Sequence, residues 1–171
     1  MNVLILNGSH RQNGNCKNFC ETASIMLSKK HNVSIYNLIE ANIQPCNGCL
    51  GCEDGLECPL HDDYSNSIME SIKKAELIVY ATPTYFNMPS AAMVNLIDRS
   101  NNLCEYLSET PKKVLVYISG QTDEESMTDT YNCLKTYFEI MGMQEISKPL
   151  LHVARFKEPL TDEMINILNE I

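Results

Sequence analysis

Four cysteines crowd one short stretch of the chain: Cys46, Cys49, Cys52 and Cys58, spaced C-x2-C-x2-C-x5-C. Thiolates are soft ligands. Three close together and a fourth slightly further on can surround a cubane, and four cysteines are the usual complement of a [4Fe–4S] cluster. Zinc more often takes two separated C-x2-C pairs that close a tetrahedron. Thiols that hold no metal are a third reading, and all three stay open. Gly48, Gly51, Gly55 and Pro59 argue against a regular helix here and let the segment wrap.

A second candidate lies near the start. The apolar run Val3 to Leu6 ends at Asn7-Gly8 and leads into Ser9-His10-Arg11-Gln12-Asn13-Gly14-Asn15-Cys16 before a helical pattern begins. A helix start offers unpaired N–H groups and the positive end of the helix dipole, which together seat an anion. Ser9 and Asn15 add side-chain donors, Arg11 adds a fixed charge, and His10 and Lys17 lie close by. The cluster suits a phosphate dianion. Other phosphate loops fit less well. There is no G-x-G-x-x-G after the first strand, no G-K-[ST], and no Cys followed by Arg six positions later. A merely polar turn with Asn15 as helix cap remains the plain alternative.

Two later strand ends complete a site. Thr82-Pro83-Thr84-Tyr85-Phe86-Asn87 follows one apolar run, and Ser119-Gly120-Gln121 follows the next. Pro83 stiffens its turn, and Tyr85 and Phe86 offer aromatic rings, although either ring can equally pack under the next helix. Gly120 lets backbone approach a flat ring closely. A phosphate seat, an aromatic ledge and a close-approach turn suit a heteroaromatic ligand that carries a phosphate.

These loops need elements to position them. Strands are expected over Val3–Leu6, Val33–Tyr36, Leu77–Ala81 and Val114–Ile118, with a weaker one between Gln144 and Val153. Helices are expected over Asn15–Lys30, Asp63–Ala75, Ser90–Leu107, Glu124–Met141 and Thr161–Ile171. The alternation predicts an α/β fold: a doubly wound, five-stranded parallel sheet of order 2-1-3-4-5. Only residues 38–62, the cysteine segment, break the rhythm, and a loop that long is usually functional. His61 could be a ligand or proton donor, but Asp62 or Asp63 capping the next helix is the simpler reading. Cys20, Cys104 and Cys133 sit among apolar helical positions and read as core or half-buried thiols.

The 171 residues suit one domain, 1–171, with the cysteine segment as an insertion. A formal net charge of −9 argues against nucleic acid as a partner. No apolar run approaches the length of a membrane span. The N-terminus lacks a basic region and a small-residue cleavage site, so it reads as a first strand, which implies a cytoplasmic protein.

The pattern G-S-x-R-x-x-G-N, then C-x-G-C-x-x-C, then P-T-Y-F and I-D-R, resembles the NAD(P)H-dependent FMN reductases of the flavodoxin-like superfamily. Its cysteine-bearing branch is similar to the iron–sulfur flavoproteins. The resemblance runs collinearly from Val3 to about Gly120. It implies that Ser9, His10, Arg11, Asn13, Gly14, Asn15 and Cys16 hold the FMN phosphate. Pro83, Thr84, Tyr85, Phe86 and Asn87 would line the isoalloxazine, and Ser119, Gly120 and Gln121 would form the third flavin loop. Any [4Fe–4S] cluster would sit on Cys46, Cys49, Cys52 and Cys58. Three features depart from the pattern: Cys16 stands where Ser or Thr is usual, Asn95 where Lys is common, and the third loop is poor in glycine. The implied activity is an oxidoreductase that takes electrons from NAD(P)H. It would pass them to a quinone, nitro compound or flavin, or through a cluster to a ferredoxin-like protein. No side-chain nucleophile or acid–base pair is expected, because the flavin carries the hard chemistry. Relatives imply a homodimer or homotetramer. A non-enzymatic electron carrier and a zinc-stabilised binding protein without a redox role are the competing functions.

Overall fold

Residues along the first strand alternate between two cores. Leu4 and Leu6 face one way and Val3 and Ile5 the other, all of them buried. A strand apolar on both faces must be covered on both, and that requirement fixes the architecture. The computed structural model describes residues 1–53 and 58–171. Its elements are β1 (Asn2–Asn7), α1 (Asn15–Leu27), β2 (Asn32–Asn37), a π-helical turn (Tyr64–Ile68) running into α2 (Met69–Lys74), β3 (Leu77–Tyr85), β4 (Met88–Pro89) and α3 (Ala91–Arg99). After α3 come a 3-10 turn (Ser100–Leu103), α4 (Cys104–Glu109), β5 (Lys113–Gly120), α5 (Glu125–Ile140), β6 (Gln144–Glu145), β7 (Leu150–Val153) and α6 (Asp162–Glu170).

The parallel order is β2-β1-β3-β5, with β6 and β7 both pairing β5 on its outer side. The expected fifth strand therefore exists in two pieces, broken at Ser147-Lys148-Pro149, where proline has no N–H to give the ladder. β4 was not foreseen. It turns back antiparallel on β3, pairing Tyr85 with Met88 and Thr84 with Pro89. One face of the sheet packs against α2 to α5 through Ile72, Leu96, Leu134 and Phe138. The other packs against α1 and α6 through Phe19, Ala23, Met164 and Leu168. The chain thus has the flavodoxin-like, doubly wound arrangement.

Two expected boundaries moved for local reasons. β3 does not stop at Thr82-Pro83 but runs on to Tyr85. Ala81 accepts from Gly8 on the β1 side, so Pro83, two residues on, faces the side where β1 has already left the sheet. Its missing N–H therefore costs no ladder bond. The helix expected over Ser90–Leu107 divides at Ser100, whose hydroxyl donates back to the Leu96 carbonyl and tightens the chain into the 3-10 turn. The described part of residues 38–62 holds no helix or strand, as expected; Gly55 lies outside the described residues.

Candidate functional site

β1, β3, β5 and β7 end on one edge of the sheet, and the loops that follow enclose a cleft of about 420 Å³. That is within the usual range for a small-molecule site. Its walls include Ser9, Arg11, Gly14, Asn15 and Cys16, then Pro83, Thr84, Tyr85, Phe86 and Asn87, then Ser119, Gly120 and Gln121. Two of the expected residues, His10 and Asn13, are exposed and stay outside it.

The first loop is held from below. Asn7 accepts from the Ser9 N–H at 3.1 Å through its side chain, and the Ser9 hydroxyl accepts from the Arg11 N–H at 3.2 Å. Gly8 donates to Ala81, and a Cβ added at Gly8 would meet the Ser90 hydroxyl at 2.8 Å, so loop and α3 pack without room for a side chain. Gly14, not Asn15, is the N-cap of α1, and it has no side chain to cap the helix. The first N–H groups of α1 therefore have no side-chain cap at the cleft. Arg11 adds a cation that makes no ion pair among the described residues.

The Asn15 side chain, expected as a phosphate donor, lines the cleft but is engaged with protein groups. Its amide nitrogen donates to the Ser119 hydroxyl and the Ala154 carbonyl, both at 3.2 Å, and its oxygen accepts from the Glu158 N–H at 3.0 Å. The side chain is spent tying the first loop to the third and to a strap after β7. That strap, with Thr122, is the part of the wall that sequence reasoning missed. The signal was available: Ala154 directly follows the last strand, and strand ends line such sites. Lys17 is likewise engaged, donating to the Gln12 side chain.

Cys16 is buried, and burial pushes its thiol up to about 12, against the smaller lowering effects of nearby backbone N–H groups and Arg11. It stays a neutral thiol beside the anion seat and adds no repelling charge. Gly120 also answers to packing within the protein. A Cβ there would lie 2.9 Å from Met127 Cγ and 3.0 Å from Thr84 Cγ2, so protein already fills that side.

The second loop is a two-residue hairpin turn. Phe86 and Asn87 both have positive φ, 49° and 59°, as a type I′ turn requires. Neither Tyr85 nor Phe86 packs under a helix: Tyr85 is 40% exposed and Phe86 fully so. The turn is braced by Asn87 donating to Asp129 and by the Thr84 hydroxyl paired with that of Thr130.

The donor set suits a phosphate monoester carrying a flat ring system. The start of α1, Ser9 and Arg11 share the cleft wall with Pro83 to Asn87 and with Ser119 to Thr122.

The cysteine segment is a separate construction. Four thiols are the donor set that a cubane takes, although among the described residues no three of His, Cys, Asp and Glu stand close enough to share a metal in this arrangement. Cys46 and Cys49 are exposed, and Cys52 and Cys58 are half-buried. A row of donors from α3 and the following turn holds the segment in place. Asn95 donates to the Ile43 carbonyl at 2.6 Å, Arg99 to the Gln44 carbonyl at 2.8 Å and Cys58 Sγ at 3.3 Å, and Asn101 to Cys52 Sγ at 3.4 Å. Arg99 and Asp62 form an ion pair with both side chains out of solvent. Burial works against the Asp62 charge, but Arg99 and the Gln44 and Ser65 N–H groups outweigh it and hold the carboxyl below its usual range. Asp62 also accepts from the Tyr64 and Ser65 N–H groups, so it does cap the π-helical turn, while His61 is exposed.

Fold and cleft together define an α/β protein of the flavodoxin-like class. Residues 1–158 match the model of the NADPH-dependent FMN reductase family, and the chain belongs to that family. Among named relatives it is 31% identical over 104 residues to an iron–sulfur flavoprotein of Methanocaldococcus jannaschii, covering 60% of this chain and 53% of that one. It is 33% identical over 100 residues to an iron–sulfur flavoprotein of Archaeoglobus fulgidus, covering 58% and 49%. The chain thus spans about half the length of these relatives. A solved flavodoxin from the domain Archaea superposes with a TM-score of 0.61 at 15% identity, over 99% of this chain and 92% of that one. No helix among the described residues is long and apolar enough to cross a membrane.

Proposed function

We propose that the cleft holds FMN and that the protein is an oxidoreductase drawing electrons from NAD(P)H for a small acceptor: a quinone, a nitro compound or a free flavin. The observation that carries this reading is the uncapped start of α1 opening into a cleft whose other walls are the β3 and β5 strand ends. Family membership supports the cofactor and the reductant. Bound FMN supplies the acceptance of hydride and its onward delivery. The chain's own residues bind and orient. Ser9, Arg11 and the first N–H groups of α1 take the phosphate, Asn15 keeps the surrounding loops in register, and Pro83, Thr84 and Tyr85 flank the ring. Adding FMN to the flavin-free chain should shift and sharpen its visible bands in a saturable way, and the loaded protein should oxidise NADH or NADPH. A chain that takes up no FMN after reconstitution would sink the proposal.

A second reading, a [4Fe–4S] cluster on Cys46, Cys49, Cys52 and Cys58 passing electrons to a protein acceptor, draws support from the names of the two relatives. The N–H groups of Arg99 and Asn101 on two of the sulfurs are compatible with it. Iron and sulfide analysis of anaerobically purified protein decides it: flavin bands without iron and sulfide eliminate the cluster, and stoichiometric zinc would replace it.

A further inference from the structure

Phe86 stands in an unusual position. Its φ of 49° is one that a bulky side chain rarely adopts, and its ring is fully exposed. Type I′ turns favour Asn-Gly or a similar pair, and glycine at this place would carry no Cβ penalty. The turn is not loose, since Tyr85 pairs with Met88, Asn87 holds Asp129, and Thr84 holds Thr130. The chain thus spends backbone strain to hold a large apolar ring in water at the rim of its cleft. Strain that the surroundings enforce at a ligand site points to use.

Depth along the wall says which ligand meets the ring. Pro83 and Thr84 are half-buried, Tyr85 is 40% exposed, and Phe86 is wholly exposed. A ring seated deep in the cleft meets the first three, and a molecule arriving afterwards from solvent meets Phe86. We infer that Phe86 is a specificity-determining residue whose ring stacks on flat, conjugated electron acceptors, a quinone or a nitroarene, and so selects them over acceptors that cannot stack. This rests on the flavin reductase reading and narrows its substrate class. For a quinone the overall reaction consumes NAD(P)H, one proton from water and the quinone. It yields NAD(P)⁺ and the hydroquinone, with two electrons and two protons gained by the quinone.

The test uses the FMN-loaded full chain with Phe86→Leu, which keeps an apolar side chain but no π face, and Phe86→Trp, which keeps one. Equilibrium dialysis measures binding of anthraquinone-2-sulfonate, a flat probe, to the oxidised protein. Steady-state rates compare menadione with ferricyanide, an octahedral complex that cannot stack. The Leu variant should bind the probe roughly tenfold more weakly, as loss of one aromatic stacking partner typically costs. Its preference for menadione over ferricyanide in kcat/KM should fall by a similar factor, and the Trp variant should restore both. Unchanged probe binding in the Leu variant overturns the inference. So does an equal loss of FMN affinity, which would place the ring on the cofactor, or a change in oligomeric mass, which would place it under a second copy. Failure of the underlying function looks different: the wild-type chain would hold no FMN, and both proposals would go.

Discussion

The cleft and the cysteine segment sit on one framework but are held in opposite ways. The cleft is made of strand ends that the sheet ladder fixes, trimmed by many modest hydrogen bonds such as those of Asn7, Ser9 and Asn15. The described part of the cysteine segment has no ladder of its own. It hangs from α3 chiefly through one buried guanidinium, which reaches Gln44 before the cysteines and Cys58, Leu60 and Asp62 at their far end, while Asn95 and Asn101 add one bond each. A distributed support degrades gradually when one member is lost, whereas a single hub fails outright.

Breaking the hub should therefore give the largest effect. Arg99→Met leaves the Asp62 carboxylate buried without its partner, and breaking such a pair typically costs about 3–5 kcal/mol. Urea unfolding should show a loss of that order. Asp62→Asn with Arg99→Met should cost clearly less than the two single losses added together, because the second change removes the charge that the first one strands. Additive losses would mean that the pair is not the hub. In the cleft, Asn15→Ala removes three hydrogen bonds at once, each worth about 1 kcal/mol, so a smaller loss of roughly 2 kcal/mol is expected. Its signature is local: amide exchange at Ala154 and Glu158 should quicken while exchange along β1 and β3 stays slow.

The same contrast governs what could be read from the sequence. Short apolar runs closed by turn residues gave most of the strands, and the strand ends gave most of the cleft wall, because both follow from local pattern and one rule of sheet topology. The strap at Ala154–Glu158 was missed because the interrupted last strand has a weak pattern. The Phe86-Asn87 turn was missed because neither residue is glycine, the usual mark of positive φ. The role of Arg99 was out of reach: its partner lies 37 positions away, in a stretch with no period to phase it against. Asp62 looked like an ordinary helix cap, which it is, and nothing local distinguishes a cap from a cap that is also half of a buried pair.

Acidity should separate the two regions with a smaller effect. His152, buried beside the cleft on β7 and bonded to the Tyr117 hydroxyl at 2.6 Å, has its pKa lowered by burial. The native ring stays neutral where the unfolded ring takes a proton. The stability this contributes is full above the ordinary value of about 6.5 and is lost as pH falls toward the native value. Asp62 is also lowered, so its contribution is full above about 4 and is lost only as pH falls through its native value. Unfolding free energy measured against pH should first decline in the histidine window. In His152→Gln that decline should vanish while the drop in the carboxylate range remains. A variant that keeps the first decline would remove His152 as its cause.

The smallest effect should have the opposite sign. Phe86→Gly removes a Cβ from a left-handed backbone, where an L-residue costs about 1–2 kcal/mol. Against this stands the greater freedom of glycine in the unfolded chain, about 0.4–1 kcal/mol. The ring itself is fully exposed, so no buried packing is lost with it. The balance leaves a gain of roughly 0.5 kcal/mol, visible as a slightly higher urea midpoint with an unchanged slope. A loss of stability would show that the ring makes contacts in solution that keep it, and the strain would then need no ligand to explain it. A gain would leave a residue kept against the stability of its own fold, at the mouth of the one region that distributed bonding had already made secure.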